Sequence, residues 1–81
     1  MKTFIAIEND GTRATFLPPE NIALLKKYGE VREIKGELSS ENAAAQIGDS
    51  EVYMTCWDSP RLDRTVLDAA PNLKLLVHLG G

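Results

Sequence analysis

The residues that could carry chemistry in this 81-residue chain are few, and they follow short apolar runs. The chain has one cysteine, Cys56, and one histidine, His78. A lone thiol and a lone imidazole exclude an internal disulfide and the multi-cysteine zinc patterns, so we predict no metal site. We interpret Cys56 as a small buried hydrophobe. We interpret His78 as a hydrogen-bonded partner at a strand end, because a general base needs reaction partners within reach.

Two loops carry the residues best suited to binding a small ligand, and both follow an apolar run. Trp57 and Asp58 stand in the first loop, where the indole either walls a pocket or packs beneath the loop. Gly80 and Gly81 stand in the second loop. Glycine lets a backbone approach a ligand closely, and its free amides suit a carboxylate, although a plain turn is the other interpretation. No Gly-x-Gly-x-x-Gly or Walker-type motif occurs, so the chain carries no nucleotide fingerprint.

Strands and helices alternate along the chain and must position these loops. Apolar runs with β-branched residues predict four strands, at 3–7, 30–34, 51–56 and 73–79. Helix starts and ends are signalled between the strands by Pro18-Pro19 with Gly29, by Ser39 or Ser40 with Ile47, and by Asp63 with Pro71. Proline suits the first helical turn, serine and aspartate cap helix starts, and a later glycine or proline ends a helix.

The predicted order is β-α-β-α-β-α-β, which indicates an α/β protein. We expect a flavodoxin-like parallel sheet with the first strand between the second and the third. The last two strands are the most apolar, so we expect both to be buried on both faces. No helix follows the fourth strand to cover it. We therefore expect 1–81 to be a fragment, an incomplete three-layer α/β/α unit whose natural chain continues.

The ends of the predicted strands locate the ligand edge. In an open parallel sheet, ligands bind beyond the carboxyl ends of the strands. That rule selects four loops, at 8–13, 35–38, 57–60 and 80–81. The last two are the informative ones, so the candidate substrate-binding residues are Trp57, Asp58, Gly80 and Gly81.

Composition and charge exclude several classes of partner. The chain is 43% hydrophobic and 26% charged, with a net charge of −3 at pH 7, which is ordinary for a folded domain. Its lysines and arginines form no stripe that could neutralise phosphates, so we predict no nucleic acid partner. The apolar runs are too short to cross a bilayer or to form a signal peptide. We therefore expect a cytoplasmic protein without membrane contact.

Several segments, in order along the chain, resemble one enzyme family. Residues 19–31 (Pro-Glu-Asn-Ile-Ala-Leu-Leu-Lys-Lys-Tyr-Gly-Glu-Val) resemble the first helix and second strand of the D-isomer-specific 2-hydroxyacid dehydrogenases. Residues 62–81 resemble that family's helix, its Ala-Ala-Pro-x-Leu-Lys strand and its glycine-containing loop. Cys-Trp-Asp-Ser-Pro at 56–60 and His-Leu-Gly-Gly at 78–81 resemble the Gly-Trp-Gly-Thr-Pro-like loop and the His-Ala-Ala-Gly of a subgroup. Where this chain has His-Leu-Gly-Gly at 78–81, the family's common pattern is Arg-Ala-Gly-Val-Gly. This difference leaves the substrate preference open.

The resemblance implies that the chain is the N-terminal part of a substrate-binding domain. In the family, amides after the fourth strand hold the substrate carboxylate, which points to Gly81 and the residue after it. The loop after the third strand lines the cleft, which points to Trp57 and Asp58. The family's catalytic Arg, Glu and His and its NAD-binding domain lie downstream, so no catalytic or cofactor-binding residue is assigned here. The parent enzyme would use NAD or NADP and a small 2-hydroxy or 2-oxo acid, and this chain alone would be inactive.

Two other functions stay open. A stand-alone, non-catalytic domain would bind a small acid or form a homo-oligomer through its uncovered fourth strand. A receiver-like signalling module would also be flavodoxin-like, with Glu8, Asp10 and Asp58 as a phospho-acceptor pocket. The chain is short for such a module and has no fifth strand with its lysine.

Overall fold

Four parallel strands form one sheet in the computed structural model, which describes residues 1–7 and 11–79. The strands are β1 (Thr3–Ile5), β2 (Val31–Glu33), β3 (Val52–Thr55) and β4 (Leu75–His78). They lie in the order β2-β1-β3-β4, and every neighbouring pair is parallel. The predicted α/β class, the flavodoxin-like order and the position of the first strand are therefore confirmed.

Within the described residues, the helices are α1 (Gly11–Phe16), α2 (Pro19–Lys27), α3 (Ser40–Ile47) and α4 (Arg64–Ala69). α1 begins inside the segment 8–13, which the sequence predicts to be a loop. A helix of six residues is too short to be stable by itself, and packing of Phe16 and Leu17 beside Ile5 of the sheet supports it. None of the described helices is long and apolar enough to cross a membrane.

Side-chain caps start the helices where the sequence predicts them. The Ser39 hydroxyl accepts a hydrogen bond from the Asn42 amide (3.1 Å) at the start of α3, and Gly48, at φ 54°, follows the last residue of that helix. The Asp63 carboxylate accepts one from the Val66 amide (3.1 Å) at the start of α4. A proline likewise occupies the first turn of α2. The first amides of a helix have no partner inside it, and the serine and aspartate side chains accept hydrogen bonds from them. Proline has no amide hydrogen that would need a partner. Because these roles suit particular residue types, the helix starts can be predicted from the sequence.

The helices cover the two faces of the sheet and divide the core between them. On one face, Phe4 and Tyr53 of the strands pack with Val66 of α4 and with residues of α3. On the other face, Ile5 packs with Leu17 and with Ile22 of α2. β1 is buried along its whole length, as expected for a central parallel strand between two helical layers.

β4 is exposed, and the prediction that the last two strands are both buried is wrong for it. β3 is largely buried, whereas Leu75 and Leu76 of β4 are 54% and 45% exposed. The reason is position, because β4 lies at the edge of the described sheet with β3 on one side. A run of aliphatic residues predicts a buried strand, but it carries no information about which neighbour would bury it.

Tyr53 joins the core to the loop that follows β3. Its ring is fully buried and stacks on Phe4, with ring centroids 5.9 Å apart. Its hydroxyl donates a hydrogen bond to the carbonyl oxygen of Pro60 (2.8 Å). Burial, with a smaller contribution from the Asp63 charge, raises the pKa of Tyr53 to about 12. The phenol therefore stays protonated at neutral pH and keeps its donor for the loop.

Removing the Tyr53 hydroxyl should destabilise the fold. Tyr53→Phe keeps the stacked ring but leaves the carbonyl of the buried Pro60 without its donor, which costs about 1–2 kcal/mol of unfolding free energy. Urea unfolding followed by circular dichroism measures this loss. Tyr28→Phe is the matched control, because Tyr28 is 67% exposed, and it should leave the midpoint unchanged. Equal midpoints for the two variants would show that the hydroxyl does not hold the loop.

Candidate functional site

One serine ties the carboxyl ends of β1 and β3 together. The Ser59 hydroxyl donates a hydrogen bond to the Ala6 carbonyl oxygen and accepts one from the Cys56 amide (2.8 Å). The Ser59 amide also donates to the Cys56 carbonyl oxygen (3.1 Å), which closes a tight turn over Trp57 and Asp58. Cys56 itself is buried, as predicted. The loop is therefore held against the sheet, and it presents its side chains from a fixed backbone.

The start of α4 fixes the other end of this loop. The Asp63 carboxylate accepts hydrogen bonds from the Ser40 hydroxyl of α3 (2.7 Å) and from the Val66 amide. The hydrogen bond from Ser40 makes the largest contribution to lowering the pKa of Asp63, and hydrogen bonds from backbone amides lower it further. Both kinds of bond stabilise the charged form of the carboxylate. With the Tyr53–Pro60 hydrogen bond between these two ends, residues 57–63 are hydrogen-bonded to the rest of the fold at three places.

A cavity of about 290 Å³ opens between this loop and β4. Its lining combines an apolar wall with a few polar groups, namely Trp57, Leu62 and Leu76 with Thr55, Arg61 and His78. Apolar walls with a small number of polar groups are typical of small-molecule sites. The cavity also lies at the carboxyl ends of β3 and β4, where ligands bind in open parallel sheets. It is therefore the candidate functional site.

Thr55 orients the imidazole of His78 at this cavity. The Thr55 hydroxyl lies 2.9 Å from His78 Nδ1, and the two residues are partners in the register of β3 and β4. The interpretation of His78 as a hydrogen-bonded partner at a strand end is therefore confirmed. When Nδ1 accepts from the hydroxyl, the neutral ring carries its proton on Nε2, which then serves as a donor to a ligand.

Arg61 also lines the cavity, and no motif in the sequence singled it out. It is exposed and stands directly after Pro60, the residue that the Tyr53 hydroxyl holds. Guanidinium groups bind carboxylates through paired N–H donors. A lone arginine in a loop is common on protein surfaces, so the only sequence signal was its place in the loop after an apolar strand. The fold is what brings it to the same cavity as His78.

The four residues predicted for the site have different outcomes. Trp57 lines the cavity and is 61% exposed, and its ring also meets Phe16 of α1 edge-on, with centroids 5.4 Å apart. The indole therefore both walls the pocket and packs against a neighbouring element. Asp58 is exposed and does not line the cavity. Gly80 and Gly81 lie outside the described residues.

A second cavity, of about 390 Å³, lies at the opposite, amino edge of the sheet. Its charged groups pair with each other, since Lys2 bonds to Asp49 and Lys74 Nζ lies 3.3 Å from a carboxylate oxygen of Glu51. The hydrogen bond from Lys2 holds the pKa of Asp49 below its ordinary value. Because these carboxylates and amines are already engaged with one another, we assign this edge a structural role.

Within the described residues, no group of three or more His, Cys, Asp or Glu side chains could hold a metal ion. No protein-family model, curated protein or solved structure matches the chain. The cavity beside β4 is therefore the feature of the described residues that points to a function.

Acid should destabilise the fold partly through Asp63. Its pKa in the folded state lies below the unfolded value, so its charge contributes stability at neutral pH, and this contribution is lost as the pH falls through the folded pKa. Asp63→Asn keeps a capping side chain but removes the charge. The difference in urea midpoint between the unaltered chain and D63N should therefore shrink from about pH 7 to about pH 3. Asp68→Asn, exposed on α4, is the control, and a D63N difference that is constant with pH would contradict this role.

Proposed function

We propose that this chain binds a small 2-hydroxy or 2-oxo acid, as the N-terminal part of the substrate-binding domain of an NAD(P)-dependent D-2-hydroxyacid dehydrogenase. The observation that carries the proposal is the cavity beside β4, where Arg61 and His78 share a lining with apolar side chains. The resemblance of residues 56–81 to the family's loop, helix and strand supports it, because these segments supply most of the cavity lining.

The polar groups of the cavity suit the head of such an acid. The Arg61 guanidinium is the partner for the carboxylate. His78, held at Nδ1 by Thr55, is the donor from Nε2 to the oxygen on the second carbon. The family resemblance implies that further donors to the carboxylate are the backbone amides of Gly81, which lies outside the described residues, and of the residue after it.

The apolar wall limits the size of the acid. Leu62, Leu76 and Trp57 offer a packing surface for a short alkyl substituent. Sites for drug-sized ligands begin at roughly 300 Å³, and this cavity of about 290 Å³ lies just below that range. We therefore propose an acid of a few carbon atoms rather than a bulky aromatic one.

Turnover requires groups that the proposal places elsewhere in the parent enzyme. Hydride transfer needs a positioned nicotinamide and a proton donor. The family resemblance puts the catalytic Arg, Glu and His and the NAD or NADP site outside this segment. We therefore propose binding without catalysis for the chain alone, within a cytoplasmic enzyme.

A stand-alone acid-binding domain is the second candidate, because it would use the same cavity. The two differ in the length of the native polypeptide, which intact-mass measurement in the source cell determines. A mass several times that of 81 residues supports the dehydrogenase, and a mass equal to it supports the stand-alone domain. For the receiver-like alternative, Glu8 and Asp10 lie outside the described residues and Asp58 does not line the cavity.

A 2-oxo acid should bind more tightly than the same acid without the 2-oxygen. Pyruvate titrated into the isotope-labelled chain should shift the NMR signals of Trp57, Arg61 and His78, with a dissociation constant on the order of 1 mM for a small, solvent-open site. Propionate should bind more weakly, because it gives His78 no oxygen to bond. Arg61→Gln should weaken pyruvate binding about three- to tenfold, through loss of a charge-assisted pair.

Arg64→Gln is the matched control for this titration. Arg64 is exposed on α4 and does not line the cavity, so its removal changes the net charge equally and should leave pyruvate binding unchanged. An equal loss in both variants would show general attraction of an anion to a cationic surface. Equal affinity for pyruvate and propionate would show that the site does not recognise the 2-oxygen, which would contradict the assignment to 2-hydroxy and 2-oxo acids.

A further inference from the structure

We propose that Thr55, acting through His78, makes the cavity beside β4 accept small acids with a hydrogen-bond acceptor on the second carbon and reject 2-amino acids of the same size. The observation behind it is the contact between the Thr55 hydroxyl and His78 Nδ1 at the cavity wall. Thr55 is a positioning residue here, because it acts on the ligand through the imidazole. The inference rests on the proposed function, since it takes the cavity to bind the head of a small acid.

The Thr55 hydroxyl is held in a fixed place. Thr55 is 5% exposed and lies on β3, an inner strand of the described sheet. Its carbonyl oxygen accepts a hydrogen bond from the Leu79 amide (2.8 Å), one residue beyond its register partner His78. A β-branched side chain is also stiff about χ1. The backbone and the side chain therefore both keep the hydroxyl beside Nδ1.

The burial of Thr55 decides which group donates in this hydrogen bond. Among the described residues, the partner of the Thr55 hydroxyl is His78 Nδ1. If Nδ1 carried the ring proton, it would donate to the hydroxyl oxygen and leave the hydroxyl hydrogen without an acceptor. A buried donor without an acceptor is costly. The hydroxyl therefore donates to Nδ1, and the neutral ring carries its proton on Nε2.

This tautomer allows Nε2 to meet a ligand only as a donor. A keto or hydroxyl oxygen on the second carbon of the acid accepts a hydrogen bond from such a donor. An ammonium group in the same place has three N–H donors and no acceptor. The ammonium group of a 2-amino acid would therefore face the N–H of His78 with no hydrogen bond between them.

The rest of the described lining offers an ammonium group no carboxylate. Among the described lining residues, Arg61 is the one with a permanent charge, and that charge is positive. The Ser59 hydroxyl already donates to the Ala6 carbonyl oxygen and accepts from the Cys56 amide. Burying a charged group without partners is costly. We therefore expect alanine to bind at least about tenfold more weakly than lactate.

Lactate and alanine of the same hand test this selection. Both have a tetrahedral second carbon and a methyl group, and they differ in the hydroxyl and the ammonium group. Each is titrated into the isotope-labelled chain at about pH 8, where an ordinary imidazole is neutral, and the NMR signals of Trp57 and Leu76 report binding. Equal affinities would overturn the selection and leave acid binding intact. No binding of pyruvate or lactate would overturn the proposed function, and the selection with it.

Thr55→Val and Thr55→Ser separate the effect of the hydroxyl from the difference in charge between the two ligands. Valine keeps the shape of threonine without the hydroxyl, serine keeps the hydroxyl, and neither variant changes the net charge. In T55V the ring can carry its proton on either nitrogen, so Nε2 can accept from an ammonium group. The ratio of lactate to alanine affinity should therefore fall at least about threefold in T55V and stay nearly constant in T55S. An unchanged ratio in T55V would overturn the role of Thr55.

The tautomer of His78 is a readout that a merely structural role of Thr55 would not move. His78 is the one histidine of the chain, so its ring nitrogens are identified without ambiguity in a long-range nitrogen–proton correlation spectrum. The unaltered chain and T55S should show a protonated Nε2 and an unprotonated Nδ1, and T55V a larger share of the other tautomer. The spectrum of the unaltered chain decides the matter without any substitution, should T55V fail to fold. A protonated Nδ1 in that spectrum would overturn the proposal.

Discussion

The hydrogen bond from the Tyr53 hydroxyl to the Pro60 carbonyl oxygen connects the core of this protein to its candidate site. The ring at one end is fully buried and stacked on Phe4, and the group at the other end lies in the loop that walls the cavity. A buried hydroxyl without a partner is costly. Burial of the ring therefore favours the loop conformation in which the Pro60 carbonyl oxygen accepts the hydrogen bond of the hydroxyl. The core that stabilises the sheet therefore also determines where Arg61 stands.

The parallel sheet adds a second constraint, because the carboxyl ends of all its strands lie at the same edge. Thr55 and His78 are partners in the register of β3 and β4, so their side chains meet without any adaptation of the loops. Ser59 then links this edge to β1 through the Ala6 carbonyl oxygen. A polar cluster is thus obtained from residues far apart in sequence, and the rigid strands supply the positional accuracy that a binding site needs.

Features set by local chemistry could be predicted from the sequence. The caps at Ser39 and Asp63 and the strand order follow from short-range signals and from the rules of βαβ connection. Features set by tertiary neighbours could not. α1 is held by packing against the sheet, β4 is exposed because of its place at the edge, and Arg61 is a lone loop residue until the fold brings it beside the cavity. Trp57 lay between these cases, since it lines the cavity but its ring contacts Phe16 of α1 instead of packing beneath the loop.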